Sequence, residues 1–234
     1  MSNKQNEIIK EHISDKIRAL WDVEFGLLDV RTNSSLTDSY MTMLGWYLSP
    51  INPKDMLCGH FMSPMSDIGK TVILGAIFGR SDHKYVHLPL IVSDKPERRL
   101  YDIICSKCPV ILQWDDPMYR MNKYINVISE LVTKKPSCKF RNKCGIELSA
   151  LNTKLIMTGC TPLNSKKDVH KLINEHMFEL RTNSIKISPR FDESRVYKIA
   201  EYIYHCSDTE FNAFVNKCVT MFNDNPDWIG QHMQ

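Results

Sequence analysis

Apolar residues fall at Ile8, Ile9, Ile13, Ile17 and Leu20, the spacing of one helical face, and predict a helix over 7–20. A polar loop around Asn33, Ser34 and Ser35 separates it from a second apolar stretch, Tyr40 to Leu48. The pattern then shortens. Met56 to Met62 is a compact apolar run and reads as the first core strand; Ser63 to Ile68 follows as a polar loop, and Val72 to Phe78 as a helix ended by Gly79. Tyr85 to Val92 is a candidate second strand, and Glu97 to Ser106 a short amphipathic helix. Pro109 to Asp116 is an apolar run that stops abruptly in two adjacent carboxylates. Tyr124 to Val132 returns to helical spacing and ends at Lys134, Lys135 and Pro136. Lys154 to Pro162 is another apolar strand with a polar end. A polar, helix-prone stretch from Lys166 leads to Glu175–Arg181, and helices are expected over Asp192–His205 and Thr209–Met221, the last stopped by Asn225 and Pro226.

Composition narrows this only a little. With 234 residues, 43% hydrophobic and 24% charged, the chain fits one globular domain with a small appendage. A net charge of +3 is too small to direct nucleic-acid binding globally, so any such contact must come from local clustering. One cluster exists: Lys134, Lys135, Lys139, Arg141 and Lys143 occur without an intervening acid, around Phe140, and run through Gly145 into Ile146–Ser149. A β-hairpin with a basic tip fits that pattern, although charge runs are commonly just solvated faces. Among eight cysteines only Cys105 and Cys108 are closely spaced, and Cys138 with Cys144 is the nearby second pair a zinc site would need; buried thiols account for the same residues. The polar N-terminus lacks a signal-peptide core and no apolar run reaches membrane-spanning length, so an intracellular, reduced protein is expected, its compartment (nucleus or cytoplasm) open.

The chemistry concentrates at two places. Gly69-Lys70-Thr71 sits between a loop and a helix that follow a strand, the context in which backbone N–H groups and a helix N-terminus face phosphate. Lys70 would then neutralise phosphate charge and Thr71 would ligate Mg²⁺. Asp115 and Asp116, too costly to bury unpaired, belong at a strand tip facing a site, where one acid can hold the metal and the other the attacking water. The full phosphate-loop pattern wants glycine where this chain has Pro64, which lacks an N–H and fixes φ. The tripeptide alone is weak evidence; its plain alternative is a helix start with an exposed lysine.

In order and spacing, the succession Gly69-Lys70-Thr71, Trp114-Asp115-Asp116, Pro136 with Arg141 and Lys143, Met157 to Pro162, and Glu179-Leu180-Arg181 resembles the superfamily 3 helicases of small-virus replication proteins. The resemblance covers roughly residues 55 to 190, and no nuclease domain is visible. It implies an α/β, AAA+-like P-loop NTPase with a central, mostly parallel sheet flanked by helices. Small helical parts would lie at both ends: 1–50 a collar or docking arm, 51–190 the core, 191–234 helices packed on it. For residues 1–50 a helix that simply packs on its own domain fits as well. It further implies ATP and Mg²⁺ as ligands, with Ser66, Asp67, Ile68, Gly69, Lys70, Thr71 and Cys160 around the nucleotide. Thr71 and Asp115 would hold the metal and Asp116 would activate water, while Arg181 would reach the γ-phosphate of a neighbouring subunit in a ring, expected to be a hexamer. Lys139, Arg141 and Lys143 would grip single-stranded or forked DNA, with RNA left open, and a separate nuclease or origin-binding protein is a conceivable partner.

Two departures cut against turnover. Pro64 alters the loop entrance, and Cys160 stands where the family has a sensor asparagine; a thiol is a poor partner for orienting water or phosphate. A degenerate, non-hydrolysing nucleic-acid-binding or assembly module is therefore the second expectation. A cytosolic α/β domain with a coincidental Gly-Lys-Thr is the third.

Overall fold

The computed structural model describes residues 12–49, 58–88, 99–100, 102–103, 110–115, 128, 139–141, 147–149, 153–161, 173, 175–183 and 192–233. The helices expected over 97–106 and 124–132, and all four candidate zinc cysteines, lie wholly or largely outside those residues. The second strand candidate is described from Lys84 to His87.

Five strands build the central sheet: β3 (Cys58–Met62), β4 (Lys84–His87), β5 (Val110–Asp115), β8 (Thr153–Gly159) and β9 (Met177–Arg181). Their spatial order is β4-β5-β8-β3-β9 and every pairing is parallel. Parallel strands covered on both faces read as continuous apolar runs, and all five residues of β3 and all seven of β8 are buried. Two short antiparallel pairs lie outside this sheet: β1 (Leu28–Asp29) with β2 (Ser34–Ser35), and β6 (Lys139–Arg141) with β7 (Glu147–Ser149). The latter is the hairpin expected within the basic segment.

The helices are α1 (Ile13–Arg18), α2 (Leu36–Leu48), α3 (Lys70–Arg80), α4 (Ser194–His205), α5 (Asp208–Asp224) and α6 (Trp228–His232). The helix predicted over 7–20 changes character instead of continuing: α1 passes into a π-helical turn, Ala19–Glu24. Gly79 does not end α3, which runs on to Arg80, where the guanidinium is held by the Ile203 carbonyl and Asp208 Oδ1 at 2.6 and 2.7 Å.

Nearly every residue of α2 is buried, and its side chains share one hydrophobic cluster with α1, α3, α4, α5 and the sheet. Contact with α5 is close because Gly45 has no side chain; a Cβ there would lie 2.1 Å from the Cys218 carbonyl oxygen. Tyr47 reaches the sheet, its hydroxyl donating to the Leu155 carbonyl (2.7 Å) and accepting from the Gly59 N–H (3.0 Å). The carbonyls that α2 leaves unpaired at its C-terminus are met from the sheet. Lys154 Nζ donates to the Trp46, Tyr47 (3.1 Å) and Ser49 (2.9 Å) carbonyls and lies 4.9 Å from the Trp46 ring. Burial pushes the Lys154 ammonium down to about 7.

The two ends of the described chain meet at Asp29. This buried carboxylate accepts from Ser39 Oγ (2.7 Å), Thr32 Oγ1 (2.8 Å) and the Arg31 N–H (3.1 Å), and pairs with the buried His232 Nε2 at 2.7 Å. Burial raises its pKa, but the hydrogen bonds from His232, Ser39 and Thr32 outweigh this and hold it below the ordinary carboxylate value. Among the described residues no helix is long and apolar enough to cross a membrane.

Candidate functional site

β3 ends at Met62, and the chain turns through residues 63–69 before α3 begins at Lys70. Two residues in this loop take left-handed backbone, Asp67 (φ 60°) and Gly69 (φ 89°). Gly69 is required twice over: its φ disfavours a side chain, and a Cβ would sit 2.6 Å from Val196 Cγ1 on α4. The loop and α4 enclose a cavity of about 190 Å³. Ser66, Asp67 and Gly69 form one wall; Lys70, Thr71, Thr158 and Cys160 form the floor; Glu193, Val196 and Tyr197 form the other wall. The first three, with Lys70, Thr71 and Cys160, are residues singled out from the sequence.

Lys70 is buried, with Nζ 2.7 Å from the Met65 carbonyl and 3.8 Å from Cys160 Sγ. Its charge therefore stands at the cavity floor between the loop and the tip of β8. Ile68 differs from its neighbours: its side chain is fully buried in the core, and its carbonyl accepts the Trp21 indole N–H at 2.8 Å. Pro64 is exposed and is not among the cavity-lining residues. Neighbouring loop positions are fixed by side chains: Ser63 Oγ accepts from the Met65 N–H (3.2 Å) and from Thr182 Oγ1 (2.7 Å).

Asp115 lies at the tip of β5, and β8 separates it from β3. Thr158, on the intervening strand, joins the two halves of the site: its hydroxyl donates to Asp115 Oδ1 and lies 3.3 Å from Thr71 Oγ1. Gln113 Nε2 donates to the same carboxylate oxygen at 2.9 Å, and its own Oε1 accepts from Tyr85 at 2.8 Å. His87 Nε2, from edge strand β4, pairs with Asp115 Oδ2. Burial raises the Asp115 pKa, yet bonds from His87, Gln113 and Thr158 more than compensate, so the carboxyl is held ionised below its usual value. Thr71 and Asp115 thus present hydroxyl and carboxylate oxygens on either side of one hydroxyl, a hard-donor set of the kind Mg²⁺ takes alongside substrate phosphates. Among the described residues there is no cluster of three or more His, Cys, Asp or Glu suited to a metal.

Arg181 closes β9 in register with Met62, so it stands at the same end of the sheet as the loop; it is exposed and is not among the cavity-lining residues. Lys139 and Arg141 lie on strand β6 of the antiparallel pair. Asp116 and Lys143 lie outside the described residues. Sequence reasoning missed Thr158, His87, Gln113 and Trp21. Only Thr158 had a signal, its place in the strand that ends at Cys160; the others depend on strand order or on contacts between distant parts of the chain.

A parallel sheet whose strand β3 runs into a loop and a helix opening on Lys70-Thr71, with a carboxylate two strands away, defines a P-loop-NTPase-like α/β fold. Two solved structures of the NrS-1 C-terminal region in its apo A form are similar to this chain. One has a TM-score of 0.41 at 10% identity, covering 91% of this chain and 50% of that one. The other, spanning residues 305–718, has a TM-score of 0.44 at 9% identity, covering 90% and 50%. This chain therefore spans about half the length of each. No protein-family model and no curated protein matches the chain.

Proposed function

We propose that the protein binds a nucleoside triphosphate with Mg²⁺ in the cavity over Lys70 and Thr71, and that it is the ATP-driven DNA helicase motor of a viral or virus-derived replication protein. The observation that carries the nucleotide reading is the convergence of Lys70, Thr71 and an ionised Asp115 at the strand tips, joined through Thr158. Lys70 neutralises phosphate charge, and Thr71 and Asp115 hold the metal, which when bound screens the phosphates and the charge that develops on them. The motor reading rests on the resemblance in motif order: Asp116 orients the attacking water, Arg181 acts across a subunit boundary in a ring, and Lys139, Arg141 and Lys143 grip the DNA backbone with little sequence preference.

A second reading, a module that retains the fold without turnover, is favoured by the cavity's chemistry. A thiol, Cys160, faces Lys70, and the carboxylates of Asp67 and Glu193 border the space a triphosphate would enter. ATP turnover with and without single-stranded DNA separates the two, measured on wild type, Lys70→Ala and Asp116→Asn, with Lys143→Ala as the DNA-binding control. DNA-stimulated turnover lost in the first two variants supports the motor. Salt-sensitive DNA binding that depends on Lys143, without turnover, supports the module. ATP affinity unchanged by Lys70→Ala overturns the nucleotide reading itself.

A further inference from the structure

The π-helical turn Ala19–Glu24 is far from the phosphate loop in sequence and is hydrogen-bonded to it. The Trp21 indole N–H donates to the Ile68 carbonyl at 2.8 Å, and both residues are fully buried. The indole has no freedom to swing aside. It packs edge-on to Tyr40 of α2 (centroids 4.7 Å apart) and to Phe61 of β3 (5.4 Å), and its own carbonyl accepts the Leu27 N–H at 2.8 Å.

That bond fixes more than a carbonyl. The C=O and N–H of a trans peptide point in opposite directions, and no peptide bond among the described residues is cis. With the Ile68 C=O turned toward Trp21 in the core, the N–H on the other side of the same peptide plane, that of Gly69, points away from Trp21, and Gly69 is a residue that lines the cavity. The left-handed conformation of Gly69 then carries the chain into α3, so this N–H lies at the helix start. We propose that Trp21 is a positioning residue of the phosphate loop, whose indole N–H holds the Ile68–Gly69 peptide in the orientation that offers the Gly69 N–H to a bound phosphate. The same turn also anchors the opposite wall, because Glu24 pairs with Arg195 of α4, between the wall residues Glu193 and Tyr197.

This inference rests on the nucleotide reading, and the test keeps the two apart. Trp21 is replaced in the full chain by benzothienylalanine, which keeps the bicyclic shape and puts sulfur in place of the N–H; Trp21→Phe serves as a second variant, and Lys70→Ala as the control for the binding site. The measurements are calorimetric binding of ATP with Mg²⁺, amide hydrogen exchange across residues 66–70, and the urea unfolding midpoint. The expected result with the benzothienyl analogue is about fivefold weaker ATP binding, the equilibrium equivalent of one net hydrogen bond, with exchange across 66–70 about tenfold faster and a lowered unfolding midpoint, because the buried Ile68 carbonyl loses its donor. ATP affinity and loop exchange both equal to wild type would overturn it. If wild type binds no ATP, the nucleotide reading falls and exchange alone decides: faster exchange in the analogue upholds the positioning role, and unchanged exchange overturns it.

Discussion

Replacing Lys154 by methionine tests how the sheet holds α2, because the change keeps length and roughly volume while deleting the ammonium. Two large terms oppose each other. Losing the donor strands the Trp46, Tyr47 and Ser49 carbonyls, and bonds from a charged donor contribute about 1.5–3 kcal/mol each. Against this, the native protein pays for a buried charge: a value of about 7, down from 10.5, corresponds to about 5 kcal/mol at 1.4 kcal/mol per pH unit. At pH 6, where Lys154 is charged in both states, the three bonds offset or outweigh that cost, and Lys154→Met should lower stability by about 0–4 kcal/mol. Between pH 7 and 10.5 the unfolded chain holds a proton that the native state has released, so wild-type stability rises with pH while the variant gains nothing from this site. The gap should therefore widen by about 2–3 kcal/mol between pH 7 and pH 9. Urea unfolding of both proteins at pH 6, 7 and 9, followed by circular dichroism and tryptophan fluorescence with matched slopes, reads this directly. A gap that is constant or narrows with rising pH would refute the assignment of a desolvated, titrating Lys154.

Gly69→Ala forces a left-handed alanine against Val196, so a stability loss of about 1–3 kcal/mol and abolished binding of ATP with Mg²⁺ are expected in thermal melts and calorimetry; wild-type affinity would show that the loop geometry is dispensable. Thr158→Val removes one of the donors that keep Asp115 ionised, raising its pKa and lowering stability at neutral pH by about 1–2 kcal/mol. The Mg²⁺ concentration needed for nucleotide binding should rise with it, and an unchanged Mg²⁺ titration would count against Asp115 as a ligand. Asp29→Asn breaks the buried pair with His232 and should cost about 3 kcal/mol at pH 7. Because the Asp29 pKa is lowered on folding, its contribution is present above about pH 4 and disappears as pH falls through the native value, so the melting temperatures of variant and wild type should draw together as pH falls below about 4.

The strand-loop-helix unit around Gly69 and the buried run ending at Asp115 were legible because each is local: an apolar run, a break and a capping glycine occur in one stretch. What the sequence hid was non-local. His87 and Gln113 serve the site only because β4 and β5 pair in a register that sets them side by side. Glu179 interrupts the apolar run of β9; in the fold that glutamate is buried, its Oε2 3.4 Å from His60 Nδ1 on the neighbouring strand. Thr158, on β8 two residues before Cys160, donates to Asp115 and lies 3.3 Å from Thr71 Oγ1. The end of α3 differs by one residue: Gly79 reads locally as a stop, and the helix runs on to Arg80, whose guanidinium is held by the Ile203 carbonyl and Asp208.

The strand order also sets a schedule for synthesis. Both sheet partners of β3 are encoded after it: Cys58 pairs with Leu155 on one side and Met177 on the other. At 5–20 residues per second, the strand that carries the phosphate loop spends roughly 5–20 s outside the ribosome with neither edge paired. A strand that the fold buries at every position is, in that condition, a target for chaperones and for self-association, and truncations that stop before β8 should yield aggregating fragments instead of a smaller folded unit. The β3–β8 pairing that brings Lys70 within reach of Cys160 is thus also the event that ends the chain's most vulnerable interval.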